Sequence, residues 1–241
     1  MIAEAIAVWT GGEGKAIVCK RLDDPAMSIL NVLLTRDHLV VAADTLAEDA
    51  LTGAYSAGAK LLLIPQHNVV LAARGSTQFF LRIYELALQA SFRADFTIEQ
   101  LSAELGLVVD QLWPNFEKAV SEAGLPIEQL GTELVLGGWS LKNGRMMATA
   151  YAKSDSRRPC VVQPIGGQMA SPGEPLQAAT PSMAQVDLLA HARLQVSYLN
   201  GQLGRKVAGG RLLVGFLQKG QALLKDLGAV SYTHLTLPTK A

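Results

Sequence analysis

The chain has 241 residues, 49% of them hydrophobic, and its 21 basic side chains balance 21 acidic ones. That balance, with no run of five or more like charges, gives no electrostatic reason to bind nucleic acid or an anionic membrane. No apolar stretch approaches the roughly 20 residues needed to cross a bilayer, and the start "MIAEAIAVWTGGEG" lacks the basic region of a signal peptide, so a cytoplasmic globular protein is expected.

Residues 1–27 form an N-terminal extension with two readings. In one, "AIAVW" and "AIVCK" make a hairpin around "TGGEG" that adds strands and seals the site, with Trp9 and Cys19 as packing residues. In the other, translation starts at Met27 and the upstream residues are an over-long gene start. "GGEG" lacks the Lys-Ser/Thr ending of a phosphate loop. Next, "SILNVLLT" and "LVVAADT" flank "RDH", and "KLLLIP" and "NVVLAARG" flank "QHN". Four short strands with tight connections predict an antiparallel sheet rather than parallel crossover units.

Helical spacing begins after Gly75. Ser76 or Thr77 can cap a helix with Phe79, Phe80, Ile83, Leu86 and Ala87 along one face. "TIEQ" at Thr97 is a capping box that opens a second helix, paired with the first, and Pro114 either kinks it or starts a third. Strands return in "TELVLGGWS" and "RMMATAYAK", where Asn143-Gly144 predicts a type I′ hairpin turn. Residues 154–183 read as a long irregular connection around the strand "CVVQPI". A helix from about Ser182 is expected to bury Val186, Leu189, Leu194 and Tyr198, and "RLLVGFLQ" and "QALLKDLG" read as a closing hairpin. The tail "VSYTHLTLPT" matches one reading frame of a transposon-end sequencing adaptor over ten consecutive residues, so residues 230–241 are set apart from the fold. The order of strands, two helices, strands, helix and strands predicts an α+β fold, a four-layer α/β/β/α sandwich of two antiparallel sheets.

Cys19 and Cys160 fit neither a disulfide framework nor metal-ligand spacing, and read as buried free thiols. His38, His67 and His191 lack metal-ligand spacing as well. Trp9, Trp113 and Trp139 read as packing residues. No cofactor or metal site is expected.

Three segments, "NVLLTRDHLVVAADTLA", "GAKLLLIPQHNVVLAARGST" and "LVLGGWSLKNGRMMATAYA", resemble the N-terminal-nucleophile (Ntn) hydrolase superfamily, in its proteasome β-subunit-like form. The resemblance covers about Ser28 to Gly228, so residues 28–229 are taken as one Ntn-hydrolase-like domain. It implies a nucleophile at the first residue of the mature chain, an aspartate sixteen residues on and a lysine sixteen further. Ser28, Asp44 and Lys60 match those positions. It also implies that the α-amine of Ser28 is the general base and that the Arg74-Gly75 turn supplies oxyanion donors.

The departures are specific. Twenty-seven residues precede Ser28, Met27 stands where self-processing precursors carry glycine, and Ser171 in "PIGGQMASPG" matches the family's supporting serine only loosely. Two functions follow: an amide- or peptide-bond hydrolase working through Ser28, or a non-catalytic member of the fold serving as a self-assembling or binding module. In both a homo-oligomer is implied, with no nucleic-acid or membrane partner.

Overall fold

Alternation of side chains along the strands sorts the apolar residues into three separate layers of core. The structure is a computed structural model and describes residues 17–18, 28–127 and 130–231. Its strands, in chain order, are β1 (Ile17–Val18), β2 (Leu30–Leu34), β3 (His38–Asp44), β4 (Leu46–Glu48), β5 (Tyr55–Ala57), β6 (Leu61–Ile64) and β7 (Val69–Gly75). Helices α1 (Thr77–Ala90) and α2 (Ile98–Glu122) follow, then β8 (Thr132–Ser140), β9 (Arg145–Lys153), β10 (Val161–Pro164) and β11 (Gln168–Ser171). Helix α3 (Gln185–Leu203) and strands β12 (Arg211–Gln218) and β13 (Gln221–Ala229) complete the described fold.

One sheet has the order β1-β11-β2-β3-β12-β13 and the other β10-β9-β8-β7-β6. In β3, Leu39, Val41 and Ala43 point to the second sheet and meet Val70, Ala72, Val135 and Ala148 there. Val40 and Ala42 point the other way, onto α3. In β7, Val69, Leu71 and Ala73 face α1 and α2. Both sheets are thus buried on two sides, and the layers run α/β/β/α, as the order of periods predicts.

Several local expectations change. The two N-terminal hairpins do not share a sheet: β2 and β3 lie in the six-stranded sheet and β6 and β7 in the five-stranded one, with the small β4-β5 pair between them. The sheets are antiparallel except that β1 runs parallel to β11, pairing Ile17 with Met169 and Val18 with Ala170. The remainder of the expected N-terminal hairpin, with Trp9 and Cys19, lies outside the described residues, as do Tyr232 to Ala241 of the tail. Val230 is buried against the α3 layer, and its N–H donates to the Gly210 carbonyl at 3.0 Å.

Ser76 caps α1 by accepting from the Phe79 N–H at 3.2 Å. Thr97 caps α2 by accepting from the Gln100 N–H at 3.2 Å, but the Gln100 side chain turns to Glu104, so the reciprocal half of the capping box is not made. Helix α2 runs through Pro114 without a break, and the ring forfeits the hydrogen bond to the Asp110 carbonyl one turn back. At the β8-β9 turn only Gly144 has positive φ, at +58°, and the loop spans Leu141–Gly144, closed by Gly144 N–H to Ser140 O. It is therefore a longer turn than the type I′ expectation. "QMAS" is a strand, β11, inside the connection read as irregular.

Candidate active site

Ser28, Asp44 and Lys60 come together where β2 begins, β3 ends and β6 begins. Geometry makes this a consequence of the pairing. Leu30 on β2 stands opposite Ala43 on β3, so the residues just before β2 and at the end of β3 are neighbours. All three are buried: Asp44 is 0% exposed, and Ser28 and Lys60 are each 3% exposed. Lys60 Nζ donates to Ser28 Oγ and to the Leu46 carbonyl, and lies 3.2 Å from Asp44 Oδ1.

The Asp44 carboxylate is held by backbone as well. Oδ1 accepts from the Ile29 N–H at 3.1 Å and Oδ2 from the Gly209 N–H at 2.8 Å. The Gly209 donor depends on a close approach at the start of β12, where a Cβ on Gly210 would stand 2.5 Å from Thr45 Oγ1. Thr45 then locks the two strands, donating its N–H to the Arg211 carbonyl at 3.0 Å and accepting from the Arg211 N–H at 2.9 Å.

Burial holds the Lys60 ammonium below its ordinary lysine value, because the charged form loses water. Attraction to Asp44 and its hydrogen bond oppose that shift, and repulsion from Arg74 adds to it. The arrangement can therefore polarise a hydroxyl, stabilise developing negative charge on it and exchange a proton.

Gly75 ends β7 at φ +99°, and an added Cβ would lie 2.1 Å from the Gly131 carbonyl oxygen, so only glycine fits. Ser171, the loose match for a supporting serine, is fully buried on β11. It donates to Glu133 Oε2 at 2.8 Å and accepts from Arg74 Nη1, and its partners are thus on the facing sheet. The Arg74 side chain, Glu133, the Gly209 N–H and the Leu46 carbonyl escape the sequence reading. Two are backbone groups, invisible to residue type. Glu133 could have been found, since it shares the inward parity of Val135 in a strand buried on both faces.

His67, Trp113 and Trp139 pack against neighbouring side chains, while His38 opens β3 and His191 lies on α3. The His67 ring nitrogen is 2.8 Å from the Ser91 carbonyl and its ring is 4.2 Å from that of Phe96. Trp113 is buried among Phe79 and Phe116. No helix among the described residues is long and apolar enough to cross a membrane.

No family model matches the chain, and no curated protein matches it either. Among solved structures it is similar to Anbu (ancestral beta-subunit) from Yersinia bercovieri, with 13% identity and a TM-score of 0.60 over 83% of this chain and 87% of that one. At that identity the likeness is one of fold, and it supports the proteasome-β-like relationship at that level.

Proposed function

We propose that the chain is an amide- or peptide-bond hydrolase of the proteasome-β-like Ntn kind, working through Ser28 when Ser28 is its first residue. The observation that carries this reading is the contact of Lys60 Nζ with the Ser28 hydroxyl, with Asp44 bonded behind it. The free α-amine takes the Oγ proton as Oγ bonds to the substrate carbonyl carbon. The C–N bond then breaks, the departing amine takes that proton, and an acyl ester remains on Ser28. Water, deprotonated by the same amine, cleaves the ester and returns the proton to Oγ. The Lys60 ammonium favours negative charge on Oγ and depresses the pKa of the neighbouring amine. Backbone donors around Gly75 are assigned to the oxyanion.

Backbone conformation also supports a free Ser28. Inside a continuous chain Ser28 has φ +108°, a region that costs a residue with a Cβ about 1–3 kcal/mol. A first residue has no φ, and the strain disappears with the bond. The test is the mass and N-terminal sequence of the protein from its native host, followed by amidase assay. A chain starting at Ser28, inactivated by Ser28→Ala, is the expected result; an active Ser28→Ala variant would overturn the reading.

A second reading has its own observation. The Ile17–Val18 strand seats on β11, giving residues upstream of Ser28 a place in the sheet. A chain that keeps them has an amide nitrogen at Ser28 and no α-amine base, and serves as a binding or assembly module. In either case we infer self-association, because the structurally similar protein is by its title a β-subunit. Light scattering at micromolar concentration is expected to give a mass above 25.7 kDa, and a monomer would refute it.

A further inference from the structure

Three polar side chains break the apolar layer between the two sheets at the end next to Ser28. Arg74 continues the inward parity of Val70 and Ala72 on β7, Glu133 that of Val135 on β8, and Ser171 that of Met169 on β11. Arg74 and Glu133 are direct cross-strand partners, and Ser171 stands opposite Leu30, two residues from Ser28. The three close a ring. Arg74 Nη1 donates to Ser171 Oγ, Ser171 Oγ donates to Glu133 Oε2 at 2.8 Å, and Arg74 Nε lies 3.4 Å from that same oxygen. The Arg74 and Glu133 side chains keep only 11% and 14% exposure.

A buried ion pair is a weak stabiliser, since apolar residues of the same volume often serve as well or better. Its placement suggests another role. Arg74 directly precedes Gly75, and its carbonyl accepts from Thr132 Oγ1 at 3.4 Å, so the guanidinium tether and this bond together fix the end of β7. The charges acting on Lys60 come from two sides: Asp44 from β3 and Arg74 from β7. Glu133, ion-paired with Arg74, is the counter-charge to the second.

We propose that Arg74 is a positioning residue of the Ser28 site: tethered by Glu133 and Ser171, it fixes the Gly75 end of β7 and sets the charge balance at Lys60. This rests on the reading of Ser28, Asp44 and Lys60 as the reactive group. Removing Arg74 strips a like charge from Lys60 and leaves Glu133 uncompensated, and both effects favour the ammonium. Removing the Glu133 charge leaves Arg74 uncompensated and disfavours it.

The test is the titration of the Lys60 amine by NMR in the full chain, with its resonance assigned by its loss in Lys60→Met. Arg74→Met is expected to move the midpoint to higher pH, Glu133→Gln to lower pH, and Arg74→Lys to leave it near the parent value. Opposite shifts are a signature that general loosening of the fold does not produce. Shifts of the same sign, or none, overturn the proposal; should Arg74→Met not fold, Glu133→Gln and Arg74→Lys still decide it. In parallel, Ser28 labelling by a fluorophosphonate is followed in a chain beginning at Ser28. Expected Lys60 shifts without labelling would keep the Arg74 role and sink the hydrolase, whereas labelling with an unmoved Lys60 would do the reverse.

Discussion

Replacing Lys60 with methionine keeps most of the aliphatic stem and deletes the ammonium, which isolates the charge. What remains is an Asp44 carboxylate, fully buried, with two backbone donors instead of three partners. Breaking a buried pair by removing one member typically costs about 3–5 kcal/mol, because the other charge is left uncompensated. The Ile29 and Gly209 N–H groups favour the lower end, about 3 kcal/mol. Domains of this length lose about 2–4 °C in Tm per kcal/mol, so Lys60→Met is expected to lower Tm by roughly 6–12 °C. Thermal unfolding at pH 7 measures it. The decisive arm is the double variant Asp44→Asn/Lys60→Met, in which the orphaned charge is gone. It should be more stable than Lys60→Met alone, with a coupling of about 1–3 kcal/mol. If the two substitutions simply add, Asp44 and Lys60 do not depend on each other and the argument from their contact fails.

Three further outcomes follow from neighbouring features. Burial depresses Lys60 in the folded state, so the unfolded chain binds this proton more tightly. Stability of the parent relative to Lys60→Met should therefore rise with pH, from the depressed folded value up to the ordinary 10.5; urea titrations at several alkaline pH values check the sign, and a fall would contradict it. Burial, with the Asp110 charge nearby, pushes the Cys160 thiol up to about 11. In a Cys19→Ser background, iodoacetamide at pH 8 should alkylate it at least about tenfold more slowly than an ordinary exposed thiol, and mass spectrometry of the time course would expose a fast reaction. Gly75→Ala meets the Gly131 carbonyl at 2.1 Å on a positive φ. It should cost roughly 3 kcal/mol or more from strain and overlap together, and a denaturation midpoint within error of the parent would refute that.

How much of this was legible beforehand depended on how local the signal was. The β2-β3, β6-β7, β8-β9 and β12-β13 hairpins carry their own strand periods and turns, and so does the α1-α2 pair. Which sheet each hairpin joins is a long-range matter, and the β4-β5 excursion that separates β3 from β6 leaves only three residues in each strand. Helix α3 misled for a different reason. Val186 and Leu194 are 74% and 52% exposed, and the buried face is Leu188, Ala192, Gln195, Val196 and Leu199. Gln195 is fully buried, pairs its amide with Asn31 and donates to the Pro172 carbonyl at 2.7 Å. Gln195 on the inner face, with Val186 and Leu194 on the outer one, blurs the helical stripe. At the site, the spacing of Ser28, Asp44 and Lys60 was readable only through the family resemblance, while the groups that hold Asp44 are backbone N–H donors with no residue-type signature.

The two functional readings differ by a single covalent bond, and the architecture explains why both rest on the same framework. Asp44 is fixed by Ile29 and Gly209, Lys60 by Asp44 and the Leu46 carbonyl, and all of these residues lie downstream of Ser28. Among the described residues, none of these contacts involves a residue before Ser28. The bond from Met27 to Ser28 makes the Ser28 nitrogen an amide, which has no basic lone pair, and gives Ser28 a φ of +108°. With the bond present, Lys60 contacts a hydroxyl that lacks its amine partner, and Ile17–Val18 extends the six-stranded sheet past β11. On the hydrolase reading, a chain that begins at Ser28 has no φ at that residue and carries a basic amine beside its own hydroxyl. The proposed difference in function therefore lies in the Ser28 nitrogen, because the contacts that hold Asp44 and Lys60 are made by residues downstream of it.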